Sequence, residues 1–213
     1  MRANPYAADL GDREPLTAFA ETPERIGQVV SGWSEAQFER SYAPGKWTAR
    51  QVLIHLAQTE LAIGTRVRFA LAEPAYRAQS FEQDAWMPLD STADARMALD
   101  VYTTLRRFNV ALFRSLTSAQ RERTFAHPEY GELSVEWVLR QLAGHDIHHL
   151  KQIQAMMNDE CVAEPVRGNI PNSAFRIPHS FIIQHSSFII VQKPGRRLNC
   201  HTQPRPGRSS GRT

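Results

Sequence analysis

The sequence predicts an all-α fold: a four-helix bundle with crossover connections, followed by a largely disordered C-terminal tail. Three observations carry this. Four long segments place apolar residues at i, i+3 and i+4 spacing, the period of a helix with one buried face. No stretch before Glu164 alternates long enough to suggest a strand ladder. After Glu164 the chain contains no acidic residue and is punctuated by Pro, Gly and Ser, a composition that does not bury a core.

The first helix is expected from about Arg13 to Val30, with Leu16, Phe19, Ile26, Val29 and Val30 on its apolar side. Thr22-Pro23 falls inside it and reads as an N-cap with a first-turn proline, so a kink or a split is expected there. A connector with a loop around Pro44-Gly45 follows. The second helix starts at Thr48, where Gln51 three residues on completes a capping box, and it ends before Pro74. Its stripe is Val52, Leu56, Thr59, Ile63 and Val67. The third helix is expected from Ser91 or Thr92 to about Leu116, with Met97, Val101, Leu105, Phe108, Leu112 and Leu116 facing inward. The fourth starts at Ser134, a good N-cap, with Glu136 in the first turn where the helix dipole favours a carboxylate. Val138, Leu142, His145, His149, Ile153 and Met156 share one of its faces, and it fades near Asn158. Connections 73–91 and 117–133 are long for a tight up-and-down bundle, which is why crossovers are expected.

The chain of 213 residues suits one domain with a real core. We place that domain at 1–164 and a basic tail of low order at 165–213. The tail nearly repeats itself, HSFIIQ then HSSFIIVQ, and one reading of it is a non-native extension. Charge divides at the same boundary. Residues 1–165 hold 17 Lys and Arg against 22 Asp and Glu, a net −5, while the rest holds 8 Lys and Arg and no acid. The sequence pI of about 9.1 therefore belongs to the tail, and no nucleic-acid partner is expected. No apolar run approaches the roughly 18 residues of a membrane span, and the N-terminus shows no apolar signal-peptide region. Two cysteines, Cys161 and Cys200, make no disulfide framework; a cytoplasmic protein is expected.

The stretch 144-GHDIHHLKQI-153 lies in the fourth helix. His145 and His149 are four apart, so both imidazoles can converge on one point, the spacing by which paired histidines on a helix bind zinc. His148 is about 100° round the helix from His149. The pair His145 and His148 is a rival, but His145 and His149 fall in line with Leu142 and Ile153 and so face the interior. A metal site needs a third ligand. Two candidates are available: His55, on the inward stripe of the second helix, and His127, in a loop before a proline. Bundles build metal sites from inward side chains on facing helices, which favours His55. The bland alternative is that each is a hydrogen-bonded core histidine. No G-x-S-x-G elbow is present and neither cysteine lies in the helical region, so no catalytic residue is assigned. Asp146, Gln152, Gln58 and Glu60 are the candidate neighbours of the histidines.

From about residue 13 to 160 the chain resembles the DinB-like, YfiT-like superfamily of metal-binding four-helix bundles. The match is strongest in 43-APGKWTARQVLIHLAQTE-60, 82-EQDAWMPLD-90 and 127-HPEYGELSVEWVLRQLAGHDIHHLKQI-153. The resemblance implies one ligand histidine in the second helix and an HxxxH pair in the fourth, which map onto His55, His145 and His149. It implies a divalent metal, nickel or zinc first and iron or manganese next, with water in the open positions. Imidazole alone does not select among such metals. Characterised relatives include transferases that use bacillithiol or mycothiol and a mycothiol-dependent maleylpyruvate isomerase. The expected function is thus a metal-dependent enzyme acting on a small molecule, by hydrolysis or by transfer of a low-molecular-weight thiol as cosubstrate. The alternative is a non-catalytic, stress-related metal-binding module. The resemblance also makes a homodimer an expectation.

Overall fold

The computed structural model describes residues 3–157. The predicted tail 165–213, both cysteines and the expected helix end at Asn158 lie outside the described residues. The elements are short α1 (Ala7–Leu10), α2 (Pro15–Val30), short α3 (Glu35–Phe38), α4 (Ala49–Ala72), short α5 (Gln83–Trp86) running into a 3-10 turn (Met87–Asp90), α6 (Ala95–Ser115), short α7 (Ser118–Glu122), the strands β1 (Thr124–His127) and β2 (Gly131–Ser134), and α8 (Val135–Ala155). The four long helices are the four predicted from periodicity, and they form the bundle.

Local chemistry sets their ends. Glu14 caps α2, accepting from the Leu16 and Thr17 amides ahead of Pro15. Thr48 and Gln51 close the predicted capping box on α4. α6 starts later than expected, because the carboxylate of Asp94 accepts from the Met97 amide while residues 87–90 form a separate 3-10 turn. α2 runs through Pro23 without the expected split. Proline removes the amide that would bond the carbonyl four residues back, that of Phe19. That carbonyl instead accepts from Nη1 of Arg106, 2.7 Å away.

α2 packs on α6 and α8, and α4 packs on α6 and α8. The pairs α2/α4 and α6/α8 therefore lie across the diagonals. Crossing connections run between these diagonal pairs, through residues 31–48 and 116–134. The 117–133 crossover was expected; the 73–91 one is corrected, because α4 and α6 are neighbours. The length of 73–91 serves another purpose: it covers one face of α4. Its start docks on a small antiparallel hairpin of β1 and β2, which the turn-rich reading of 117–133 had not anticipated. The Ala78 amide donates to the Ala126 carbonyl at 2.8 Å, and the Ala126 amide to the Tyr76 carbonyl at 3.1 Å.

The core has two apolar parts, one around Phe19, Phe113, Leu139 and Leu142, the other around Trp33, Phe38, Leu53, Tyr102 and Ile153. Between them along the helices sits a buried polar layer: Thr22 of α2, Glu60 of α4, Arg106 and Asn109 of α6, Asp146 of α8. This layer corrects the third-helix stripe. Met97, Val101 and Phe108 are exposed (56, 40 and 64%), while Ala98, Tyr102, Arg106, Asn109 and Phe113 are buried. The helix is turned by about one residue, 100°, from the orientation that its hydrophobicity predicts. Among the described residues no helix is long and apolar enough to cross a membrane.

Candidate metal centre

α4 carries His55 at its most enclosed stretch, and α8 carries His145 and His149 one turn apart. α4 and α8 pack directly. The three imidazoles are buried and meet through their Nε2 atoms: His145 Nε2 lies 3.0 Å from His55 Nε2 and 3.0 Å from His149 Nε2. The structure thus brings together the trio singled out from spacing. His148 and His127 stay outside it. His127 is buried at the hairpin, where its Nδ1 accepts from the Glu129 amide and its ring packs on Tyr130.

The opposite ring nitrogens explain why the Nε2 atoms converge. His145 Nδ1 donates to Asp146 Oδ1 at 3.2 Å. His149 Nδ1 donates to Gln152 Oε1 at 2.7 Å. The Gln152 amide donates in turn to His148 Nε2 at 3.1 Å, and His148 Nδ1 donates to Asp9 Oδ2 at 3.3 Å. Lys151 completes the chain on Asp9 at 2.7 Å. This network assigns the tautomers of His145, His148 and His149: a proton on Nδ1 and a lone pair on Nε2. His145 and His149 then present two acceptors to each other at 3.0 Å, which cannot hydrogen-bond. A cation between them would resolve the conflict. Two nitrogens held on one ion at about 2.0–2.1 Å are about 2.9 Å apart at a right angle and about 3.4 Å at the tetrahedral angle. The observed separations fall in that range. His55 Nδ1 is buried and has no hydrogen-bond partner among the described residues.

Electrostatics agree. Burial, reinforced by the neighbouring histidines, holds His55 and His149 well below the usual histidine range. Burial, with His148 and Arg106 adding to it, brings His145 down to about 3. All three are neutral near pH 7, the state a metal ligand requires.

Behind His145 stands the polar layer. Asp146 contacts Arg106 Nη2 at 2.5 Å through its second oxygen, and the same nitrogen meets Glu60 Oε1 at 2.6 Å. All three side chains are 1% exposed. Asn109 donates to Glu60 Oε2 at 2.7 Å. Burial raises the Asp146 carboxyl while Arg106 opposes the rise. Arg106 contacts the other three long helices: the Phe19 carbonyl on α2, Glu60 on α4 and Asp146 on α8. Of the four neighbours suggested by sequence, Asp146 and Gln152 orient the imidazoles of His145 and His149. Glu60 supports Arg106, and Gln58 ties α4 to the Trp86 carbonyl and Asp90 at 2.8 Å each.

Partly exposed aromatic rings frame the trio. Trp47 packs on His55 with ring centroids 4.9 Å apart, Phe81 stacks parallel to it at 6.1 Å, and Tyr6 meets His145 edge-on at 5.2 Å. Burial raises the Tyr6 phenol to about 12, so it stays protonated. Tyr6 and Asp9 lie before the region read as structured and were missed. Gly144 is their signal: a Cβ there would run into the Tyr6 backbone, so the glycine marks where the N-terminal segment crosses α8.

With this geometry in hand, comparison places the chain. A family model for the DinB superfamily matches residues 18–153. The chain belongs to the DinB superfamily. It is 32% identical over 141 residues to YfiT of Bacillus subtilis, a candidate metal-dependent hydrolase, covering 65% of this chain and 79% of the relative. A candidate metal-dependent hydrolase of Oceanobacillus iheyensis is 28% identical over 144 residues, covering 67% of this chain and 84% of the relative. The solved structure of Bacillus subtilis YfiT, described as a four-helix bundle of unusual topology, superimposes with a TM-score of 0.63 at 30% identity, covering 67% of this chain and 83% of that one.

Proposed function

We propose that this DinB protein is a metal-dependent enzyme acting on a small molecule, with His55, His145 and His149 holding one divalent cation. The observation that carries this is the convergence of three buried Nε2 atoms, two of them, on His145 and His149, presented as lone pairs by hydrogen bonds at Nδ1. Such an ion supplies Lewis acidity, enough to bring a water or thiol toward deprotonation near pH 7. Three neutral imidazoles leave its charge undiminished and leave the remaining positions to exogenous ligands. That supports hydrolysis or S-transfer from a low-molecular-weight thiol. Nickel and zinc are the proposed metals.

The chain's own residues hold and orient. Asp146 and Gln152 lie on the Nδ1 side of their histidines, so they fix ring orientation and tautomer and do not reach the side where a substrate binds. Trp47, Phe81 and Tyr6 limit water access around the trio.

The test is elemental analysis of the purified protein with His55→Ala, His145→Ala, His149→Ala and His148→Ala. The first three lose most of the metal, and His148→Ala keeps it. A His145→Ala protein with full metal content refutes the reading. Azide or a thiol added to a cobalt-substituted protein should shift its visible spectrum. An unmoved spectrum, together with unfolding on chelation, identifies a structural metal instead.

A further inference from the structure

The same face of α4 that carries His55 continues into a cleft. Ala62 and Arg66 follow His55 by 7 and 11 residues, about two and three turns, so all three line up along the helix. Both residues line a cavity of about 520 Å³ between α4 and the 73–90 segment. Small-molecule sites have volumes of about 300–1,000 Å³. Its walls are aromatic, from Phe69, Tyr76, Phe81 and Trp86. Phe81 is the link: its ring lines the cleft, stacks within 8° of parallel on His55, and takes Trp86 edge-on at 4.9 Å.

The far segment is anchored at both ends. Residues 76–78 are bonded to β1, and Trp86 and Asp90 are bonded to Gln58. The cleft is therefore built before any ligand arrives, which lowers the ordering cost of binding.

Among the described residues its two arginines are not ion-paired, although the Glu129 carboxylate, which accepts from the lining Ser80 Oγ at 3.0 Å, lies near enough to act on Arg66. Arg66 is half-buried and bonds the Gln79 carbonyl at 2.7 Å, yet among the described residues no carboxylate lies within ion-pair distance of it. Arg77 stands at the rim and likewise has no ion pair among the described residues. Glu73 also lines the cleft, leaving the lining at net +1. A planar guanidinium beside aromatic rings is suited to a carboxylate attached to an apolar body.

The geometry points to a subsite for a small molecule with an apolar or aromatic body and an anionic end: Arg66 and Arg77 bind the anion, the rings hold the body, and the reactive end extends past Phe81 toward the three histidines. This deepens the function proposed above by naming a substrate class. The cleft itself needs no metal, so the two readings can fail separately.

The test is binding of 1-naphthoate and of neutral 1-naphthamide, followed by calorimetry, on the full chain with metal loaded and after chelation. Naphthoate should bind in both forms, and at least about tenfold more tightly than the amide, as expected for a charge-assisted contact. Arg66→Met should weaken naphthoate about tenfold and leave the amide unchanged. Arg77→Met and Glu73→Gln, both at exposed positions, keep the test decisive if Arg66→Met folds poorly: the first should weaken naphthoate about threefold and the second tighten it by a similar factor. Three results overturn the inference. They are no binding up to about 1 mM, equal binding of acid and amide, or binding that disappears on chelation and ignores all three substitutions, which would place the carboxylate on the metal.

Discussion

Asp146→Asn separates the proposed metal site from the stability of the bundle. Asp146 accepts from His145 Nδ1 through one oxygen and contacts Arg106 through the other. The buried layer holds one cation, Arg106, and two anions, Glu60 and Asp146, a net charge of −1. Metal-free, that excess anion has no compensation inside the layer. Asparagine leaves a neutral Arg106–Glu60 pair and still offers one oxygen to His145 or Arg106. The metal-free protein should therefore change by less than about 1 kcal/mol. The bound metal should suffer more. A hydrogen bond to a charged acceptor is worth about 1.5–3 kcal/mol, and to a neutral one about 0.5–1.5. The difference of about 1–1.5 kcal/mol corresponds to about tenfold in affinity, the low end of the 10–100-fold found when such supporting carboxylates are removed.

Arg106→Met supplies the contrast. It leaves two carboxylates buried with no cation and strips the Phe19 carbonyl of its donor, so the metal-free protein should lose about 3–5 kcal/mol. Urea unfolding of chelator-treated protein measures the stabilities, and competition with a chromophoric chelator measures nickel and zinc affinity. Metal affinity of Asp146→Asn within about twofold of wild type would refute the reasoning. So would a metal-free stability loss as large as that of Arg106→Met.

Three further outcomes can be checked. Gly144→Ala places a Cβ against the Tyr6 backbone, so despite a helix-propensity gain of about 1 kcal/mol it should lower Tm and expose residues 4–12 to limited proteolysis; unchanged Tm and protection would show that the N-terminal segment does not pack there. Pro23→Ala should gain less than the roughly 3 kcal/mol of an ordinary proline removal from a helix, because Arg106 already satisfies the Phe19 carbonyl; a gain near 3 kcal/mol in urea unfolding would count against that role. Burial first, then Arg66, lowers His127 to about 4 in the folded state, against about 6.5 unfolded. Between those values the unfolded state binds the extra proton, so this contribution is complete above pH 6.5 and is lost as pH falls to about 4, at up to about 1.4 kcal/mol per pH unit. His127→Gln should flatten that part of a stability–pH curve, and an unaltered slope would rule the contribution out.

The sequence made the trio legible because the information is local. Two histidines four apart on a helix share a face whatever surrounds them, and His55 sits on the stripe set by Val52 and Thr59. The third-helix face was misread because periodicity takes polar residues to be solvated. Here Arg106 and Asn109 are inside, since Glu60 and Asp146 arrive from other helices to pair with them, and Met97, Val101 and Phe108 are left outside. No window within α6 contains that partnership. The same limit hid the topology: the length of 73–91 suggested a crossing, whereas the segment stays beside α4 and walls the cleft. Pro23 was read as a break for a similar reason, its compensation lying 83 residues away at Arg106.

A buried charged layer is a poor way to stabilise a bundle, since an apolar layer of similar volume often does as well or better. Its value here is in register. Apolar ridges tolerate sliding and rotation with modest loss, but Arg106 is hydrogen-bonded to α2 and α4 and ion-paired to α8 at once. α6 and α8 lie across a diagonal, and Arg106 to Asp146 spans it. A shift of α4 along its axis would pull Glu60 from Arg106 and carry His55 with it, five residues away on the same helix. A rotation of α8 would pull Asp146 from Arg106 and swing the adjacent His145. The positions that fix α4 and α8 thus lie within five residues of the positions that make the site. Three Nε2 atoms can be held to 3.0 Å on two helices only if those helices have a single registered arrangement, and the polar layer enforces one at some expense in stability.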